Sequence, residues 1–192
     1  MKSVNLGGHL NKSPRNGKFY TIAVDGRGAS GKSSLLEYLI ELLPGYTALN
    51  GDDYFEPLEN QSAWGDFNDD RFSKDIIEPL KQSTSFTYRP YDWHAEPHIA
   101  ETLIQVRRGF ILERCYSFEF ELDWDVKIWV EAPKELCLVR ALKREAMPRE
   151  RVIEVWENVW QPREDEYIAR VNPAEAADIV LDGAIPFKEQ LK

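Results

Sequence analysis

Gly26-Arg27-Gly28-Ala29-Ser30-Gly31-Lys32-Ser33 fits the pattern G-x-x-x-x-G-K-[ST] and directly follows the apolar run Phe19-Tyr20-Thr21-Ile22-Ala23-Val24-Asp25. The pattern has a mechanism. Its glycines let the backbone curl so that the N–H groups point at the α/β-phosphates of a nucleotide, Lys32 reaches the β/γ-phosphates, and the Ser33 hydroxyl can ligate Mg²⁺. The same residues also spell G-x-G-x-x-G, the fingerprint of a dinucleotide turn, and a plain glycine-rich turn is the third alternative. Lys-Ser after the last glycine is what a phosphate cradle with a metal needs and a dinucleotide turn does not. A strand running in and the helical run 33–43 running out favour the same reading. The expected ATP-binding set is therefore Gly26, Arg27, Gly28, Ala29, Ser30, Gly31, Lys32, Ser33 and Ser34.

The rest of the chain is bounded by its composition. Its 192 residues suit one domain with a substantial core. A formal net charge of −9 argues against a broad phosphate-backbone footprint, so any phosphate chemistry should act on a small ligand and not on long nucleic acid. Cys115 and Cys137 have neither the number nor the spacing of a zinc site or disulfide framework and read as buried free thiols. Residues 1–18 read as a polar, frayed leader without an apolar signal region, and no apolar run is long enough to cross a bilayer. The expectation is a cytoplasmic protein, with no membrane partner and with room for a homo-oligomer.

After the first helix, Pro44-Gly45 stops the run, and Tyr46 to Asn50 is a short strand leading into Gly51-Asp52-Asp53-Tyr54-Phe55. Two carboxylates thus stand at the carboxyl end of a strand, the edge where ligands bind in an open parallel sheet; a solvated acidic turn is the alternative. Residues 56–70 are polar and aromatic without period, 71–82 can form a helix, and 85–94 is β-prone and then broken by proline. This middle third reads as an insertion beside the sheet, its aromatics serving either a stacked base or a satellite core. Gly109 to Glu113 and Lys127 to Glu131 are buried-type strands, and Pro133 opens a helix. On that helix Cys137, Arg140 and Arg144 share one face, with Leu136, Val139, Leu142 and Ala146 expected as the packing side. The arginines are either a solvated stripe or, near a triphosphate, a charge clamp. Val152, Trp156 and Val159 lie at helical spacing beside Trp160, an aromatic stripe that reads as core, and Ala177 to Gly183 reads as a last strand and turn.

In combination, these residues resemble the uridine kinase-like branch of P-loop small-molecule kinases, which includes nicotinamide riboside kinases and phosphoribulokinases. The resemblance spans about residues 19 to 183. It rests on the P-loop, Asp52-Asp53-Tyr54-Phe55, Tyr91-Asp92 with His94, Phe110 to Glu113, Lys127 to Pro133, and the Arg140 to Arg144 segment. It implies a three-layer αβα P-loop NTPase fold with a mostly parallel central sheet, a small insertion, and a helical lid at about 140–165, all within a single kinase domain spanning 19–192.

The resemblance also implies roles. Asp52 would be the base toward the acceptor hydroxyl, Tyr91 and His94 would contact the acceptor, Asp69 would hold ribose hydroxyls, and Arg140 and Arg144 would face the phosphates. The chain departs from the family pattern at Glu113-Arg114, where Glu-Gly is common, and at Cys137, where Arg is common. The expected chemistry is transfer of the ATP γ-phosphoryl group to a hydroxyl of a small molecule, such as the 5′-hydroxyl of a nucleoside like uridine or cytidine. Lys32, Arg140 and Arg144 would supply positive charge, and Mg²⁺ would be held by Ser33 with Asp52 or Glu113. The competing expectation is a P-loop NTPase used as a switch or assembly module with no acceptor.

Overall fold

The computed structural model describes residues 4–56, 66–91, 101–144 and 148–192. Its centre is a five-stranded, wholly parallel sheet built from β1 (Tyr20–Gly26), β2 (Tyr46–Asn50), β7 (Gly109–Glu113), β8 (Val126–Glu131) and β9 (Ile179–Asp182), in the order β2-β7-β1-β8-β9. The remaining strands form two short antiparallel pairs beside it: β3 (Phe55–Glu56) with β4 (Asp66–Phe67), and β5 (Ser85–Tyr88) with β6 (Thr102–Gln105). The polar, non-alternating β6 carries no strand signal of its own; pairing with β5 makes it one.

Alternation along the central strands divides the core in two. Phe110, Leu112, Ala23 and Trp129 point to the face covered by Phe72, Ile76, Leu80 and Tyr167. Ile22, Val24, Ile111, Ile128 and Val130 point to the opposite face, against Leu35, Leu36 and Leu39 of the P-loop helix Lys32–Leu42. A period of two in buried strands and of three to four in the covering helix yields the three layers. Because every central strand is parallel, Gly26, Asn50, Glu113, Glu131 and Asp182 end on one edge, and the P-loop, Asp52 and the turn after β9 rise from it.

Two expectations need correction. The N-terminal segment is docked, not frayed. Leu6 is buried against Phe187 and Leu191, the Val4 N–H donates to the Gln190 carbonyl at 2.7 Å, and the Arg15 N–H donates to Asp125 Oδ1 at 2.7 Å. The helix Lys134–Arg144 buries Cys137 and Ala141, while Val139 is 47 % exposed. The helix lies at the rim of the sheet, and its small residues let it approach the helical stretch 149–171 through Val152 and Trp156. Arg140 is therefore drawn in against the P-loop, while Arg144 stays exposed.

Candidate active site

The P-loop is curled by three residues at positive φ: Gly26 (158°), Ala29 (58°) and Gly31 (114°). Glycine is required at 26 for a second reason, since a Cβ there would lie 2.7 Å from both Ser30 Oγ and the Val130 carbonyl. The curl brings the buried Lys32 ammonium back onto the loop, where it donates to the Arg27 carbonyl at 2.9 Å and to Cys115 Sγ at 3.2 Å, with Glu113 Oε1 at 3.9 Å. Ser33 Oγ donates to Glu113 Oε2 at 3.3 Å. Together with Asp52, these groups line one cleft of about 1470 Å³.

The electrostatics follow from crowding. Burial opposes the charge on Lys32, but the Cys115 sulfur and the carboxylates of Glu113, Asp52 and Asp25 outweigh it and hold the ammonium above its ordinary value. Burial pushes the Cys115 thiol up to about 12, so near neutral pH it is a neutral neighbour and the carboxylates do the holding. Burial also raises Glu113; Lys32 opposes that shift and Asp52 adds to it. A hydroxyl beside two crowded carboxylates is a hard-oxygen donor set that suits Mg²⁺, which keeps waters and takes phosphate oxygens instead of needing a protein cage. Among the described residues, no three His, Cys, Asp or Glu side chains converge on one point. Ser33, Glu113 and Asp52 are thus the residues that could hold the metal.

Asp52 and Asp53 part company. They lie in a 3₁₀ turn, Gly51–Tyr54, with Asn50 Oδ1 accepting the Asp52 N–H at 3.0 Å. Asp52 is exposed to the cleft, while Asp53 Oδ2 accepts the Tyr88 hydroxyl at 2.6 Å. Neighbouring side chains diverge here by the roughly 120° step of a 3₁₀ turn, not by strand alternation.

The other expected site residues are distributed unevenly. Arg140 lines the cleft and also grips the P-loop backbone: its guanidinium donates to the carbonyls of Ser30 (2.9 Å), Ala29 (3.3 Å) and Gly183 (2.7 Å). That fork braces the loop against the turn after β9. Arg144 is exposed and lines the cleft. Asp69 accepts from Arg114 Nη2 at 2.7 Å, and the Tyr91 N–H donates to the Asp53 carbonyl at 2.7 Å; neither residue is among those lining the cleft. Arg114 itself is wholly buried, with its guanidinium 4.0 Å from the Phe67 ring. His94 lies outside the described residues. The tryptophan stripe does two jobs, since Trp156 belongs to the small core under the lid and also lines the cleft with Trp160.

Two carboxylates beside the loop were not legible. Asp25 is completely buried; its Oδ1 accepts the N–H of Gly26 (2.7 Å) and Tyr116 (3.0 Å), and its Oδ2 accepts the Phe118 N–H (3.2 Å) and the Tyr167 hydroxyl (2.6 Å). Its one sequence signal is a charge closing an apolar strand. Glu164 accepts the Gly28 N–H at 2.7 Å and pairs with Arg27 at 3.2 Å, while Asp165 pairs with Arg27 at 2.7 Å and with Lys134. In sequence, Glu164-Asp165-Glu166 looks like a solvated helix face.

No family model matches the chain. It is 30 % identical over 185 residues to mouse uridine-cytidine kinase-like 1, covering 84 % of this chain and 33 % of that protein. It is 25 % identical over 180 residues to the uridine kinase of Staphylococcus carnosus (strain TM300), covering 83 % of this chain and 85 % of that one. Over most of its length the chain is similar to uridine kinase-like proteins. It spans a third of the length of its mouse relative and most of the staphylococcal one. The fold agrees: a "possible uridine kinase" of Bacillus stearothermophilus superposes with a TM-score of 0.67 at 16 % identity, covering 92 % of this chain and 94 % of that chain. No helix among the described residues is long and apolar enough to cross a membrane.

Proposed function

We propose that the protein is an ATP-dependent kinase that transfers the γ-phosphoryl group to a hydroxyl of a small molecule, with a nucleoside such as uridine or cytidine as the acceptor class. The observation that carries this reading is that the P-loop residues Lys32 and Ser33, the buried Glu113 and the exposed Asp52 all line one cleft. A phosphate cradle and an exposed carboxylate that can meet an acceptor thus share one open cleft. The names of the mouse and staphylococcal relatives support the nucleoside class.

In this mechanism the loop amides and Lys32 hold the outer phosphates, and the Asp52 carboxylate orients the acceptor hydroxyl and takes its proton as the new P–O bond forms. Arg140 keeps the loop in shape through its three carbonyl contacts, and Arg144 faces the charge that builds up on the transferring oxygens. Mg²⁺, when bound, would neutralise charge on the β- and γ-phosphates. The aromatic rings of Phe55, Phe67 and Trp160 wall the cleft and offer a planar base surfaces to stack on. The test is coupled ADP release across a panel of nucleosides, nicotinamide riboside, pantothenate and sugar phosphates. A severalfold rise with a pyrimidine nucleoside is the expected result. A flat panel with steady ATP hydrolysis would replace the kinase with an NTPase switch.

A further inference from the structure

The P-loop already holds an anion, and that anion belongs to the chain. Glu164, on the helix Gln161–Val171, is only 5 % exposed, yet it carries a carboxylate. Its Oε1 accepts the Gly28 N–H at 2.7 Å and its Oε2 faces Arg27 Nη1 at 3.2 Å. Burial raises its pKa above the ordinary carboxylate value, with the Gly28 N–H, Lys32 and Arg27 opposing that shift in that order. A carboxylate leaves water only where amides and cations replace its hydration, and these are the groups a phosphate oxygen would use.

We propose that the Glu164 carboxylate is an internal stand-in for nucleotide phosphate. It occupies the P-loop when no nucleotide is bound and is displaced, with the helix that carries it, when the triphosphate enters. This rests on the nucleotide-binding reading of the P-loop and not on the identity of the acceptor.

Two features make displacement the consistent outcome. One N–H cannot serve two anions at full strength, and a second anion brought to Lys32 and Gly28 repels the first. Gly28 also leaves no slack, since a Cβ there would already meet Trp156 Cη2 at 2.9 Å and Glu164 Oε1 at 3.1 Å. When Glu164 departs, the Arg27 and Lys32 charges it faced are left to the incoming phosphates, so no buried cation is stranded. Trp156, Val155 and Trp160 precede Glu164 on the same helical stretch and line the cleft, so nucleotide entry resets that wall.

The test is Glu164→Gln, which keeps an oxygen able to accept the Gly28 N–H and loses the charge. Calorimetric Kd values for ATP, ADP and inorganic tripolyphosphate should be on the order of ten-fold tighter than those of the wild type. Equal or weaker binding would overturn the proposal. In wild-type protein, saturating ATP should speed amide exchange across residues 161–167; unchanged or slower exchange there would equally overturn it. An acceptor panel that yields no phosphorylated product sinks the kinase proposal and leaves both of these readouts standing.

Discussion

The Tyr167 hydroxyl donates to Asp25 Oδ2 at 2.6 Å, joining the strand that feeds the P-loop to the helix Gln161–Val171. The carboxylate it serves is fully buried, and burial raises the Asp25 pKa from its ordinary 3.8 against the pull of this hydroxyl, the Phe118 N–H, the Lys32 charge and the Gly26 N–H.

Removing that hydroxyl should therefore cost stability in a pH-dependent way. Tyr167→Phe leaves a buried carboxylate short of one donor, a loss of about 1–3 kcal/mol at neutral pH. A folded-state pKa above the unfolded one means Asp25 favours folding below about 3.8 and loses that contribution as pH rises through its folded value. The variant raises that pKa further, so the deficit should grow from acidic to neutral pH. Urea unfolding at several pH values reads it; a deficit independent of pH would detach Tyr167 from the Asp25 charge.

Lys32 is buried, ionised and aimed into the cleft beside Glu113. Lys32→Ala should lower turnover far more than it weakens nucleotide binding, because phosphate charge is neutralised most strongly in the transition state. Turnover within two- or three-fold of wild type would take the P-loop lysine out of the mechanism.

Asp52 faces the cleft and Asp53 is committed to Tyr88. Asp52→Asn keeps the shape and removes the proton acceptor, with an expected loss of roughly 10²–10⁴ in turnover, about 3–5 kcal/mol, and little change in ATP affinity measured without Mg²⁺. Asp53→Asn should leave chemistry nearly intact and loosen the loop that Tyr88 pins. The reverse ranking in steady-state kinetics would move the base to Asp53.

Arg140 spends its planar fork on three carbonyls, which a lysine cannot reach together. Arg140→Lys should raise the KM for ATP and lower the thermal midpoint by a few degrees, since the loop loses its brace. Arg144→Lys, by contrast, keeps a charge at an exposed position and should act on kcat alone. Identical profiles for the two variants would show that they share one role.

The sequence by itself determined the phosphate cradle and the sheet around it. Glycines at fixed spacing, Lys-Ser behind them and an apolar run ahead constrain local backbone geometry, and strands buried on both faces announce themselves as continuous apolar runs, as in Phe110 to Leu112 and Ile128 to Val130. Asp52 and Glu113, the carboxylates after β2 and at the end of β7, were legible for the same reason, because a parallel sheet puts such ends on one edge. What only the tertiary structure decided is which partner each polar group takes. Arg140 was expected on the phosphate side and lines the cleft, but its grip on three backbone carbonyls is set by its helix packing through Cys137 and Ala141. Glu164 sits 136 residues from the amide it caps, and Tyr167 sits 142 residues from Asp25. Hydrogen bonds across such separations leave no periodicity or spacing in the chain; the packing of the 149–171 stretch over the P-loop creates them.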